Sequence, residues 1–396
     1  MRRFPGILAF LMLAALAAAE PVHVQGGREP RDGRGIMEPR QLWLRGDESD
    51  DLIFGSIASV QTGPDGNLYV LDQQLSQVCV FGADGELLRT LSREGEGPGE
   101  TRQPEHMVFL EDGSLGLAQY INGRIVRIDL EGAPLGTLMP PGSAAQGGGL
   151  ANIRRVRCRG GSFVVNGVRN TPTDDGMERT QYLARCDADG RPMLEYLSRT
   201  TTSNVTRDGW IERNNYFPSH ERWDLDEGGL LYAAADRNEY RISVYAHDGG
   251  GVASFGRDER PWRRTEQQKQ ELRDSVVVIA DGQRLPIDVQ VEDIDPVVLE
   301  VHCMPDGETW VLTSRGRREQ EPGIMQTYDV FDRDGVFVRQ AAIACPGDPE
   351  EDRLYLLGGD RLALVRGAVQ ARRNTFGGSR GQEPGDAVHD LAIFAY

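Results

Sequence analysis

Two stretches of this chain repeat one pattern. The first runs Asp65-Gly66-Asn67-Leu68-Tyr69-Val70, then Val78-Cys79-Val80-Phe81, then Asp84-Gly85-Glu86. The second runs Glu111-Asp112-Gly113-Ser114-Leu115, then Arg124-Ile125-Val126-Arg127-Ile128, then Glu131-Gly132. The turn glycines are 19 residues apart in both copies (Gly66 to Gly85, Gly113 to Gly132), and the copies are offset by 47. A unit of short strands joined by acidic-Gly turns cannot bury its faces alone. Units repeating every ~40–50 residues bury them against one another as the blades of a β-propeller.

Composition agrees. With 48 Gly and 21 Pro among 396 residues, the chain is rich in turns, which favours an all-β domain. Its formal charge is −17. An acidic surface of this kind argues against nonspecific nucleic-acid binding and against docking on anionic membrane. One local basic run, Arg154-Arg155 with Arg157 and Arg159, reads as solvated strand edge. Lys269 is the only lysine, so Schiff-base chemistry would have to use it.

Residues 1–19 read as a cleaved secretory signal, with Arg2-Arg3 before an apolar run over 7–18 and Ala17 and Ala19 at the cleavage site. No other run is long and apolar enough to span a membrane. A periplasmic or secreted protein is expected, and a monomer. The five cysteines are an odd set, and Cys158 and Cys186 fall at the ends of strands with a third strand between them. Buried free thiols are expected.

The turn signals divide the chain into six blades: about 52–100, 101–149, 150–213, 214–264, 296–350 and a last one from 353 to the end. The last blade offers only three strands, and the orphan strand at 41–46 supplies the fourth. The fold class is therefore an all-β, six-bladed β-propeller (41–396) closed by an N-terminal strand. Residues 20–40, rich in Gly, Pro and charge, read as a flexible lead-in. Thr265-Glu266-Gln267-Gln268 fits a capping box, predicting a helix over about 266–280, ended by Gly282, inside an insertion at about 265–295.

The blade-one text, Asp-Gly-Asn-Leu-Tyr-Val-x-Asp through Val-x-Val-Phe to Asp-Gly-Glu, resembles NHL repeats. Asn122-Gly123-Arg124-Ile125 is similar to their N-x-R-I segment, and Gly95-Glu96-Gly97-Pro98-Gly99-Glu100 resembles a linker of secreted bacterial propellers in the NHL/TolB-like superfamily. That superfamily includes binding modules, lyases and lactonases, so the resemblance implies a fold and leaves the activity open. Asp72 and Asp236 stand where the repeat has an Asp that caps the next loop.

Within each blade the a–b and c–d turns are tight Asp-Gly or Gly-Gly turns. The long segments are the b–c loops near 167–180, 314–327 and 368–388 and the crossovers near 138–149, 198–217 and 257–295. All of these map to the opposite face, where function is expected to concentrate. They carry Trp210, Phe217, Trp262 and Arg317, which suit contacts to a peptide, protein or glycan. A non-catalytic binding or scaffold module without a cofactor is the leading expectation.

The alternative is a metal-dependent lyase or lactonase-like hydrolase. His106 and His220 each begin an inner strand two residues after a proline, and channel histidines can hold zinc. This resembles the NHL-type peptidyl-hydroxyglycine lyases. Blade six supplies no third inner-strand His, so Glu105, Glu221 or water would complete a zinc or calcium site. Gly-x-Ser-x-Gly is absent, and Gly377-Gly378-Ser379-Arg380-Gly381 lacks the setting of a phosphate loop.

Overall fold

The computed structural model describes residues 22–47, 49–120, 123–140, 150–174, 176–276, 278–280, 283–375 and 389–396. The signal segment, Asn122, Gly282 and the glycine run at 377–381 lie outside the described residues. The chain is a six-bladed β-propeller, and the inner strand of every blade lines a central channel. These inner strands are Ile57–Thr62, Pro104–Phe109, Leu150–Arg159, Trp223–Leu225, Val298–Cys303 and Arg353–Gly358.

Strands alternate between two apolar faces, so every blade packs on both sides. Six buried clusters fill the six interfaces. Tyr69, Leu71 and Val80 meet Met107, Leu115 and Leu117 between blades one and two. Val164 and Leu183 meet Trp223 and Leu231 between three and four. Val70, Cys79 and Phe81 meet Val365, Leu391 and Ile393, so blades six and one also join.

Closure follows the expected route. Arg40–Arg45 pairs antiparallel with Leu391–Ala395 as the outer strand of blade six. Trp43 then reaches across the seam. Its ring packs 5.6 Å from Phe81, and its indole N–H donates to the Ala83 carbonyl at 3.1 Å. Gly85 has φ +82, and a Cβ there would sit 2.7 Å from the Trp43 ring. The turn glycine thus serves both the left-handed backbone and the close approach. His389 bridges the same seam, its Nδ1 donating to the Arg366 carbonyl and its Nε2 accepting from Ile57 N.

The lead-in is not flexible. Val22–Gly26 adds to blade four, parallel to Gly251–Arg257, and Arg34–Met37 adds to blade five, parallel to Phe337–Ile343. Both become fifth, outermost strands. The composition that suggested disorder belongs to the connector between them, where Arg31 and Asp32 amides bond to the Phe337 and Val338 carbonyls. A strap on the outer edges of the sheets buries little apolar surface, and backbone pairing holds it.

Two further expectations change. The b–c loop near 167–180 is a long hairpin, because Ser162–Thr173 and Gly176–Cys186 stay paired out to Thr173–Gly176. Its threonines suit a pleated, half-exposed sheet, and the Thr180 and Thr200 hydroxyls meet at 2.9 Å. The helix of the insertion spans Glu266–Ser275 with the expected capping box, but it ends before 280 because Val276 turns extended. Asp72 caps as expected, accepting from the amides of Gly55, Ser56 and Leu75. At Asp236 it is the backbone carbonyl that is engaged, by the Tyr216 hydroxyl. The five cysteines are all free, and burial pushes the Cys79 thiol up to about 11 and the Cys345 thiol to about 12.

Trp43→Ala removes the seam's main apolar contact and one hydrogen bond. A loss of about 2 kcal/mol is expected, below the cost of emptying a fully buried Trp site because the ring is half-buried. Urea denaturation of the full chain measures it.

Candidate functional site

The channel holds the polar chemistry of the molecule. Two cavities divide it, and both are lined by Ala58, Glu221 and Arg353. The Glu221–Arg353 ion pair is therefore a plug between them. Each partner comes from a different blade: Glu221 from the turn His220–Arg222 that enters blade four, Arg353 from the start of blade six.

The outer cavity, about 350 Å³, opens among the long loops. Arg317 and Arg318 reach it from the short helix Ser314–Arg318, which Thr313 caps by accepting from Gly316 N. Arg372 comes from Ala368–Thr375. These cations alternate with carboxylates. Arg317 meets Glu300 at 2.6 Å, and Glu300 also accepts from His302 Nε2 at 3.0 Å. Arg318 meets Asp295 at 2.6 Å and Glu350 at 2.8 Å. Arg372 lies 3.7 Å from Glu105. Among the described residues no Trp, Tyr or Phe lines this cavity.

The inner cavity is smaller, about 160 Å³, and runs toward the tight-turn face. His106, Arg155, Arg157, Arg159, Asp224 and His302 line it. Arg155, Arg157 and Arg159 alternate along the blade-three inner strand, so all three point to one side, toward blade four and the channel. The basic run is thus channel lining, not solvated edge: the Arg155 side chain is only 1% exposed. It stacks over the Trp223 ring at 5.3 Å and donates Nη1 to the His220 carbonyl at 2.7 Å. Asp224 Oδ1 accepts from Arg157 Nε at 3.0 Å, and Oδ2 from Cys303 N at 3.1 Å.

The electrostatics follow from this crowding. Burial alone would raise the Asp224 carboxyl, but Arg157 and Arg155 outweigh it and lower it to about 2. Burial likewise opposes ionisation of Glu221, yet Arg353 and Arg155 hold it well below the usual carboxylate range. Burial and then Arg157 lower Arg155 to about 10. His106 is held well below the ordinary imidazole value by burial first, then by Arg157 and Arg155, so it is neutral at pH 7.

The sequence-derived site residues disperse. Phe217 is 4% exposed and belongs to the core between blades three and four, so it is no surface contact. Trp210 sits on the two-residue strand Trp210–Ile211, which pairs with Val289–Gln290. Trp262 faces the helix of the insertion, its N–H 3.5 Å from Gln268 Oε1. These aromatics brace the long-loop layer, which a charged hub also ties down: Glu212 holds Arg237 and Arg264, and Arg264 reaches Asp295. Of the four expected contact residues, only Arg317 lines the channel.

The metal set does not fit a metal. His106 lines the inner cavity and His220 the outer one. His220 Nε2 already accepts from Arg154 at 3.0 Å, while Glu221 and Glu105 face Arg353 and Arg372. Among the described residues no three His, Cys, Asp or Glu side chains are placed to hold a metal ion. Arginines at these positions also repel a cation. His220 is strained at φ +56, and two arginines hold it there, one on its ring and one on its carbonyl.

A family profile described as a six-bladed β-propeller matches residues 47–146. No curated protein matches the chain. Among solved structures, a candidate exported protein of Bacteroides fragilis is 12% identical, with a TM-score of 0.48 over 95% of this chain and 99% of that one. Virginiamycin B lyase from Staphylococcus aureus is 8% identical, with a TM-score of 0.43 over 89% and 98%. The WD40 repeats of RRP9 are 10% identical, with a TM-score of 0.43 over 91% and 99%. Among the described residues no helix is long and apolar enough to cross a membrane.

Asp224 gives a test of the channel electrostatics. Its folded value is depressed, so its stabilisation is complete above the unfolded value of about 3.9 and is lost as pH falls toward about 2. Asp224→Asn should cost about 3–5 kcal/mol near neutral pH, because it strands Arg155 and Arg157. It should also flatten the acid limb of the stability profile, measured by denaturant unfolding from pH 5 downward.

Proposed function

We propose that this chain is an exported, non-catalytic binding module that takes a peptide or protein segment carrying both charges at the channel mouth on its long-loop face. The carrying observation is the lining of the outer cavity, where arginines and carboxylates alternate and no Trp, Tyr or Phe stands among the described residues. Flat apolar ring faces are what sugar and base readers stack upon. Alternating ion pairs instead offer partners to side chains of either sign and to backbone amides. Export rests on the signal-like segment at 1–19.

The cavity holds no activated group. Glu221, Glu300 and Glu350 face arginines, Asp352 accepts from the amides of Asp348 and Gly367, and Glu221 is held ionised, which suits neither a general acid nor a base poised near neutrality. His220, the one imidazole there, is engaged at its Nε2. Binding energy would come from the Arg317–Glu300 and Arg318–Glu350 pairs exchanging part of their pairing for the ligand.

Selection from a displayed random heptapeptide library tests this. Peptides bearing both acidic and basic residues should be enriched on the wild-type chain. Arg317→Ala should weaken the winners about tenfold or more, the scale of a lost charge-assisted hydrogen bond. Winners that bind Arg317→Ala equally well would overturn the reading, as would near-stoichiometric zinc or calcium in protein purified without a His tag.

A further inference from the structure

The inner cavity carries an imbalance that the peptide-binding reading does not use. Arg159 stands at its rim, 3.5 Å from the exposed Glu227 and bonded to the Leu225 and Cys303 carbonyls. That leaves Arg155, Arg157 and Arg353 with Glu221 and Asp224 as their nearest carboxylates among the described residues, Glu300 being taken up by Arg317 and His302. Three permanent cations against two carboxylates leave one positive charge uncompensated, inside a chain whose net charge is −17. His106 and His302, the imidazoles lining the cavity, do not offset it.

Unspent donors lie on the residues that line this space. Arg155 Nε and His106 Nδ1 are buried with no hydrogen-bond partner. Arg157 spends Nε on Asp224, and its two Nη groups make no hydrogen bond among the described residues. Arg157, with its side chain 26% exposed, keeps its Nη groups open to the cavity, and a small anion there would meet an unpaired cation. The opposite filling fails: a cation would meet three arginines, and an apolar group would leave every donor stranded.

We propose that the inner cavity is a binding site for a small oxyanion of about one negative charge, of the acetate or formate class. Arg157 is its principal donor, and Arg155 and Arg353 add positive charge beside it. Asp224 orients Arg157 by holding its Nε, so that the paired Nη groups face the cavity as a fork for planar oxygens. The volume of about 160 Å³ admits a few heavy atoms and excludes a peptide, and the Glu221–Arg353 plug separates this occupant from the outer mouth. The proposal does not rest on the peptide-binding reading.

Sodium acetate is the first probe, with sodium chloride at equal concentration as the reference, on the full chain. Acetate should raise the melting temperature saturably and beyond chloride, and should shift the His106 imidazole resonances in the same range. Arg157→Gln should weaken the acetate response about tenfold or more, while Arg157→Lys, which keeps the charge without the fork, should retain part of it. Equal responses to acetate and chloride, or an unchanged response in Arg157→Gln, would overturn the proposal. Should Arg157→Gln not fold, the lysine variant and the wild-type His106 resonances decide: no saturable shift at His106 refutes the site.

Discussion

The structure depends on one pairing. Six blades make a ring only because Arg40–Arg45 lies against Leu391–Ala395 and completes the last sheet. Without it blade six would end in an open edge, and the cluster joining blades six and one would be solvated from one side. The channel inherits its geometry from this closure. Arg353 on blade six and Glu221 at the entry to blade four meet across the axis only when every blade is in place. Ring and channel are thus coupled through charge as well as through packing.

The second organising feature is how the channel manages its charge. A conventional core would exclude arginine, yet eight line the two cavities among the described residues. They are tolerated because carboxylates from other blades meet them and because rings such as Trp223 accept a guanidinium on their faces. The outer cavity is nearly balanced and open, while the inner one is cationic and tight. One axis therefore presents two distinct chemical environments, separated by one ion pair.

Much of the fold was legible in the sequence because its signals are local. Gly66 and Gly85, and then Gly113 and Gly132, mark hairpins that need only their own neighbours. The orphan strand at 41–46 declared itself by leaving blade six one strand short. The strap was hidden for the opposite reason. Val22–Gly26 and Arg34–Met37 expose most of their side chains and are bound by backbone bonds to strands more than 200 residues away, so composition alone suggested disorder. At the site, Arg155, Arg157 and Arg159 did carry a period-two signal. Their compensating carboxylates lie on blade four and its entry, which made a solvated edge the natural expectation. Trp210, Phe217 and Trp262 were legible as long-loop aromatics, but sequence cannot distinguish a ring that meets a ligand from one that braces a loop.

The strap also sets the order in which the molecule can be completed. Its strands are made first, yet their partners lie at 251–257, 337–343 and 391–395. During synthesis the N-terminal stretch must wait, unpaired, while almost the whole chain emerges, and the final seam closes only with the last strand. Such long-range pairing folds slowly. For this architecture the ring is therefore the last thing to form, and each blade has to hold its own sheet until then.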